Sequence, residues 1–195
     1  KELKNAGTFF IFNPISHPDF EDRRSEFLLI MLFGMFMIFC VGFINGCTLS
    51  GFQGSSKTPM SVAGMTGAYS NAALNALSGK GAAAWKLVGS ILSYIAGGVI
   101  GGFMLSGRKP WELAPEYGPC YLIGTCAFIV ASLLARYNPH STSYYFIITG
   151  CNSLQNTMTS VYTSNLIRTS HLTGATTDIG MILGQLLRGN TSNLW

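Results

Sequence analysis

Polar and apolar positions along this chain fall into blocks. Charged side chains bound a series of uncharged windows: Phe27 to Ser56, Thr58 to Gly79, Leu87 to Gly107, Tyr117 to Ala135 and Tyr137 to Ile167. A sixth window, Thr169 to Leu187, is broken only by Asp178. A helix rises 1.5 Å per residue, so about 20 apolar residues cross a hydrocarbon core of roughly 30 Å. Each window supplies or nearly supplies that length. The pattern predicts an all-α, polytopic transmembrane helix bundle of about six spans joined by short loops. The alternative is an unusually apolar soluble helical domain, but core helices are seldom so long and charge-free in succession.

The windows differ in character. Phe27 to Ile44 (FLLIMLFGMFMIFCVGFI) reads as lipid-facing, whereas Ser61 to Leu77 (SVAGMTGAYSNAALNAL) is rich in Gly, Ala, Ser and Asn. Small and polar residues belong inside a bundle, where backbones approach closely and polar side chains find partners that lipid does not offer. In the third segment, AGGVIGG puts Gly97 and Gly98 four residues before Gly101 and Gly102 on one helical face, a doubled GxxxG. This suits tight packing within the chain or a homodimer face. The loop Ser106 to Tyr117 (SGRKPWELAPEY) divides the transmembrane domain 27–195 into halves, about 27–107 and 117–195. Residues 1–26 form an extramembrane or interfacial segment in which Pro14 and Pro18 argue against a continuous helix. Lys1 is not a methionine, so the chain is read as beginning after processing or after a further stretch, and no signal peptide is legible.

The two halves share an ordered motif. The first has Asn45 and, 21 residues on, Thr66, Gly67, Ala68 and Asn71; the second has Asn156 and, 17 residues on, Thr173, Gly174, Ala175 and Asp178. An offset of 107 superposes the two TGA triplets and sets Asn71 against Asp178. The shared order predicts an internal repeat. If every segment crosses, the repeats run parallel; if one TGA segment dips in and returns, they are inverted.

Charge changes the picture in two ways. Only 10% of residues are charged, against roughly a quarter in soluble domains, which agrees with lipid as the solvent. The formal charge of +4 reads as orientation rather than nucleic-acid binding. On six crossings one side collects Lys1, Lys4, Arg23, Arg24, Lys80, Lys86, Arg136 and Arg188, and the other Lys57, Arg108, Lys109 and Arg168. Eight against four puts both termini on the cytoplasm-like side.

These motifs resemble those of the YoaK family of small multi-span membrane proteins, built on a domain of unknown function. The resemblance rests on GFIN (Gly42 to Asn45), MTG (Met65 to Gly67) followed by Asn71, the Gly-rich third span, SLQN (Ser153 to Asn156) and LTGATTDIG (Leu172 to Gly180). It covers most of the chain from about Phe27 onward. It implies a six- or seven-span, transporter-like fold with no established substrate. The second half has no counterpart of Leu87 to Gly107 before Trp195, so either the sequence is incomplete or a span was lost.

Candidate chemistry is sparse. Asp178 is the only acid inside a window and sits near mid-depth, where a charged carboxylate costs at least about 2.5 kcal/mol. It is read either as a proton, cation or substrate contact or as a hydrogen-bonded Asp in a packed interior. Gly beside Thr can open a helix and turn backbone groups toward a cavity. Asn45, Thr66, Gly67, Asn71, Asn156, Thr173, Gly174 and Asp178 would then surround one midplane site for a small polar solute; the plainer reading makes them interhelical packing and hydrogen-bonding points. Arg168 and His171 are expected to snorkel at the interface.

GFQGSSKT (Gly51 to Thr58) fails the phosphate-loop spacing, and no hydrolase or metalloprotease motif is present. The five cysteines, with no CxxC pair, read as small buried apolar residues. No enzyme activity, metal or cofactor is expected. The sequence supports a transporter or permease-like bundle, with an accessory or scaffold subunit of a larger membrane complex, contacting lipid or pigment, as the alternative.

Overall fold

The computed structural model describes residues 24–49, 60–107, 115, 117–138, 140–163 and 171–190. The interfacial segment 1–26 and the GFQGSSKT stretch lie almost entirely outside them. So do Arg168 and most of the inter-half loop. The described residues form six helices: α1 (Arg24–Leu49), α2 (Met65–Leu77), α3 (Gly81–Met104), α4 (Tyr117–Tyr137), α5 (Ser143–Tyr162) and α6 (His171–Leu187).

One helix falls in each window, but the helices are unequal. Three of them, α1, α3 and α4, are long and apolar enough to cross a membrane. This is a membrane protein. α2 has only 13 residues, about 20 Å of helix, too short to cross alone. α5 has the length, 20 residues, yet buries Thr149, Asn152, Ser153, Asn156, Thr157 and Ser160. Its threonines avoid stranding their hydroxyls by donating back to its own backbone, Thr149 to Tyr145 O at 2.7 Å and Thr157 to Ser153 O at 3.0 Å.

The doubled GxxxG makes α3 the centre of the bundle. Gly97 and Gly101 face α5, where a Cβ on Gly97 would overlap the backbone of Gly150 and one on Gly101 would press on Thr157. Gly98 and Gly102 face α6, where a Cβ on Gly98 would stand 3.1 Å from the Cα of Gly180 and one on Gly102 would overlap the backbone of Met181. Four glycines thus serve two different neighbours within the chain, because successive residues on a helix turn by about 100°. Arg188, just past α6, donates to the carbonyls of Phe103 and Met104 at 2.9 Å each and closes the exposed end of α3.

The order of these contacts gives helix directions. From Gly89 to Gly101 along α3, the partners on α5 advance from Phe146 to Thr157. From Tyr94 to Met104, those on α6 advance from Thr177 to Arg188. Hence α3, α5 and α6 run the same way. α4 opposes α5: Cys120 clusters with Leu154 and Met158, and Ala131 and Ala135 with Tyr144 and Tyr145. α1 also opposes α5, since Ile30 lies with Leu154 and Met158 while Asn45 is linked through Val62 to Asn152.

α2 opposes α3 across a tight turn. Gly79, at φ +70°, lets Lys80 N–H reach Asn75 O at 2.8 Å and its own N–H reach Ala76 O at 3.1 Å, a Schellman stop. Gly189, at φ +83°, ends α6 with the same pair of bonds, to Gln185 O and Leu186 O. The two TGA helices therefore share their form of termination.

Candidate functional site

The chain enters α2 through backbone that is not helical yet is buried: Met60 is 3% and Val62 0% exposed. Such backbone needs partners for its N–H and C=O groups. Asn45 of α1 supplies them. Its Oδ1 accepts from Val62 N–H at 2.9 Å, Ala63 N–H at 3.0 Å and the Ser61 hydroxyl at 3.0 Å. The Ser61 hydroxyl in turn accepts from Gly64 N–H at 2.8 Å. From the other side, Asn152 Nδ2 of α5 donates to Val62 O at 3.2 Å. Residues 61–64 are thus pinned between α1 and α5.

One turn beyond Asn152 lies Asn156. Its Nδ2 donates to the Thr177 hydroxyl of α6 at 2.6 Å and to the Tyr94 hydroxyl of α3 at 3.3 Å, and Thr177 donates to Tyr94 at 3.2 Å. All three residues are buried. Closed triangles of this kind are strong where water is excluded, because any broken member leaves a polar group unsatisfied. Outside the triangle, Asn152 Oδ1 is buried with no hydrogen-bond partner, as is Ser153 Oγ on the next residue. Asn152 and Asn156 line a small cavity with Tyr94, Ala63 and Val41, about 10 Å³ in volume, the scale of one water.

The structure brings together some predicted site residues and separates others. Asn45 and Asn156 both join the polar centre, each bonded to the region that opens a TGA helix or lies within its first turns. Gly174 is buried in α6 and Gly67 half-buried in α2. Thr66 and Asn71 are exposed on α2, whose Met65 and Ala68 are buried, and lie outside this polar centre. Asp178 is half-buried in α6 and lines neither this cavity nor the larger cleft beside it. The side chains of Thr173 and His171 lie outside the described residues.

Sequence reasoning missed Tyr94, Asn152, Gln155 and Thr177. Asn152 stands four residues before Asn156, on the same helical face, and that spacing was a usable signal. Tyr94 is the only hydroxylated aromatic in the Gly-rich third window. Among the described residues no group of three His, Cys, Asp or Glu could hold a metal ion.

A family model described as a protein of unknown function, DUF1275, matches residues 33–195. No curated protein and no solved structure matches the chain.

Proposed function

The chain belongs to the DUF1275 family, which includes YoaK-like membrane proteins, and from that premise we propose that it is a multi-pass transporter for a small polar solute. One observation carries this reading: partly buried, non-helical backbone at residues 61–64, held around the buried Val62 by two asparagines, one of which lines a cavity and has a buried amide oxygen without a partner. At membrane depth such backbone is tolerated where it is enclosed by protein or lines a cavity, and transporters use interrupted helices for that purpose.

In this reading α1, α3, α4 and α5 cross the bilayer. α2 starts level with Asn45 in the bundle and leaves toward the end where α3 begins. α6 is its counterpart from the opposite side. The units α1–α2 and α5–α6 form an inverted repeat, supported by the opposed directions of α1 and α5 and by the matching Schellman stops. Four crossings return the chain to its starting side, so both termini lie together, on the cytoplasm-like face by the excess of basic residues. Asn156 and Thr177 tie the second unit to Tyr94 of α3, Asn152 and Gln155 tie it to the first unit through Val62 O and Met37 O, and together they set the shape of the solute site.

The test is uptake into proteoliposomes holding the purified protein, across a panel of small polar solutes. Asn156→Ala should lower the initial rate at least about tenfold, equivalent to 1.4 kcal/mol of lost interaction. No uptake by the wild type, together with purification only in a fixed complex, would replace this reading with an accessory subunit.

A further inference from the structure

Beside the polar centre lies a second, larger space. A cleft of about 180 Å³ separates α1 from α4 and α5, walled by Met37 of α1, by Cys120, Gly124 and Phe128 of α4, and by Leu154 and Gln155 of α5. Its lining is mostly apolar. For scale, a dry cavity of about 150 Å³ accepts benzene. The inner cavity and this cleft share two wall residues, Met37 and Gln155. Between those two residues runs one hydrogen bond, from Gln155 Nε2 to Met37 O at 2.9 Å. It partitions the two spaces.

That partition is easily opened. Met37 lies within α1, so its carbonyl keeps a helical N–H partner when Gln155 turns away. Gln155 is only half-buried and its side chain has several rotatable bonds. Behind it, Asn152 lines the inner cavity, is 1% exposed and has a buried Oδ1 with no hydrogen-bond partner.

We infer that the cleft and the inner cavity form one binding site for a small amphiphile, with an aromatic or short aliphatic body in the α1/α4/α5 cleft and a single hydrogen-bond donor reaching Asn152 past Gln155. The ligand class follows from the two halves. The outer space rewards burial of an apolar group of roughly benzene size. The inner one rewards a hydroxyl or amine and penalises an isostere that leaves the buried oxygen unpaired. A molecule of this kind partitions into the bilayer, so its route to the polar centre runs sideways through the protein rather than along its axis. This inference goes beyond the polar-solute transporter reading by assigning a second, amphiphilic ligand class, and binding is measured independently of transport.

Gly124 provides the control. It lines the cleft, and a Cβ placed on it meets no heavy atom within 4 Å. Gly124→Leu therefore fills the cleft while favouring its helix. The experiment is fluorine NMR titration of the purified protein in detergent with 4-fluorophenol and with 4-fluorotoluene, which replaces the hydroxyl by a methyl. The wild type should bind the phenol saturably and at least about tenfold more tightly than the toluene. Gly124→Leu should abolish saturable binding of both. Asn152→Leu should bring the two affinities within about twofold of each other, with Gly124→Leu carrying the test if that variant does not fold. Unchanged binding in Gly124→Leu, or equal affinities in the wild type, overturns the inference. Its failure with polar-solute uptake intact removes only the lateral site; saturable binding without uptake of any solute removes only the transporter reading.

Discussion

The two flanks of α5 are built on opposite principles. On one side α3 meets both α5 and α6 through glycine, with backbone against backbone at Gly97 toward α5 and at Gly98, Gly102, Gly180 and Gly184 between α3 and α6. On the other side α1 leaves open space: a Cβ on Gly42 or Gly46 meets nothing within 4 Å, and Phe39 and Phe43 are 69% and 66% exposed. The cleft opens on that second side. Lipid is as apolar as leucine, so helices in a membrane gain nothing from the hydrophobic effect on meeting. Close van der Waals contact and hydrogen bonds must hold them instead. Where glycines permit contact the bundle is a fixed frame; where large side chains face outward, a few hydrogen bonds carry the attachment. The fixed frame positions Tyr94 and Thr177, and the looser side supplies access.

Substitutions can break or sharpen this contrast. Gly102→Leu drives a branched side chain into the backbone of Met181 and should cost upwards of about 3 kcal/mol, read as loss of the folded, monodisperse species in mild detergent. Retention of a wild-type melting temperature would mean that α3 and α6 are not in backbone contact. Asn45→Ala leaves the Val62 and Ala63 N–H groups and the Ser61 hydroxyl without their shared acceptor, at about 1–3 kcal/mol. Hydrogen exchange should rise at residues 61–64 with α3 and α5 unchanged; exchange unaltered there would show that Asn45 does not hold the segment. Gly42→Leu should not destabilise the protein and should gain up to about 1 kcal/mol of helix propensity, because nothing stands where its side chain goes. A loss comparable to that of Gly102→Leu would place α1 in the fixed frame and erase the difference between the two sides.

How much was legible in advance varies by element. The uncharged windows located all six helices, since the absence of charge is a local property. The same windows predicted about six spans of unequal character, and α2, only 13 residues long, begins at Met65, well inside the window Thr58 to Gly79. Composition alone does not show where a segment leaves helical geometry. At the site, Asn45 and Asn156 were visible as polar interruptions of apolar runs, and the shared order of motifs in the two halves singled them out. Thr66 and Asn71 carried the same signal, yet they point away from the centre, because a repeat in sequence preserves residue type and not the direction in which a short helix presents it. Tyr94 was hidden for the opposite reason: a tyrosine in an apolar helix reads as packing until Asn156 and Thr177 are placed beside its hydroxyl.

The sequence by itself determined that this is a helical membrane protein, where its helices lie, and that α3 is a close-packing helix. These follow from per-residue transfer free energies and from side-chain size, which need no knowledge of neighbours. Tertiary structure alone decided that α1 opposes α5, that the four glycines of α3 divide between two helices, and that Asn45 and Asn152 hold one buried strip of backbone. Asn152 and Val62 are 90 residues apart in the chain. Whether such groups meet depends on how every intervening helix turns and packs, and one residue of register around a helix redirects a side chain by about 100°.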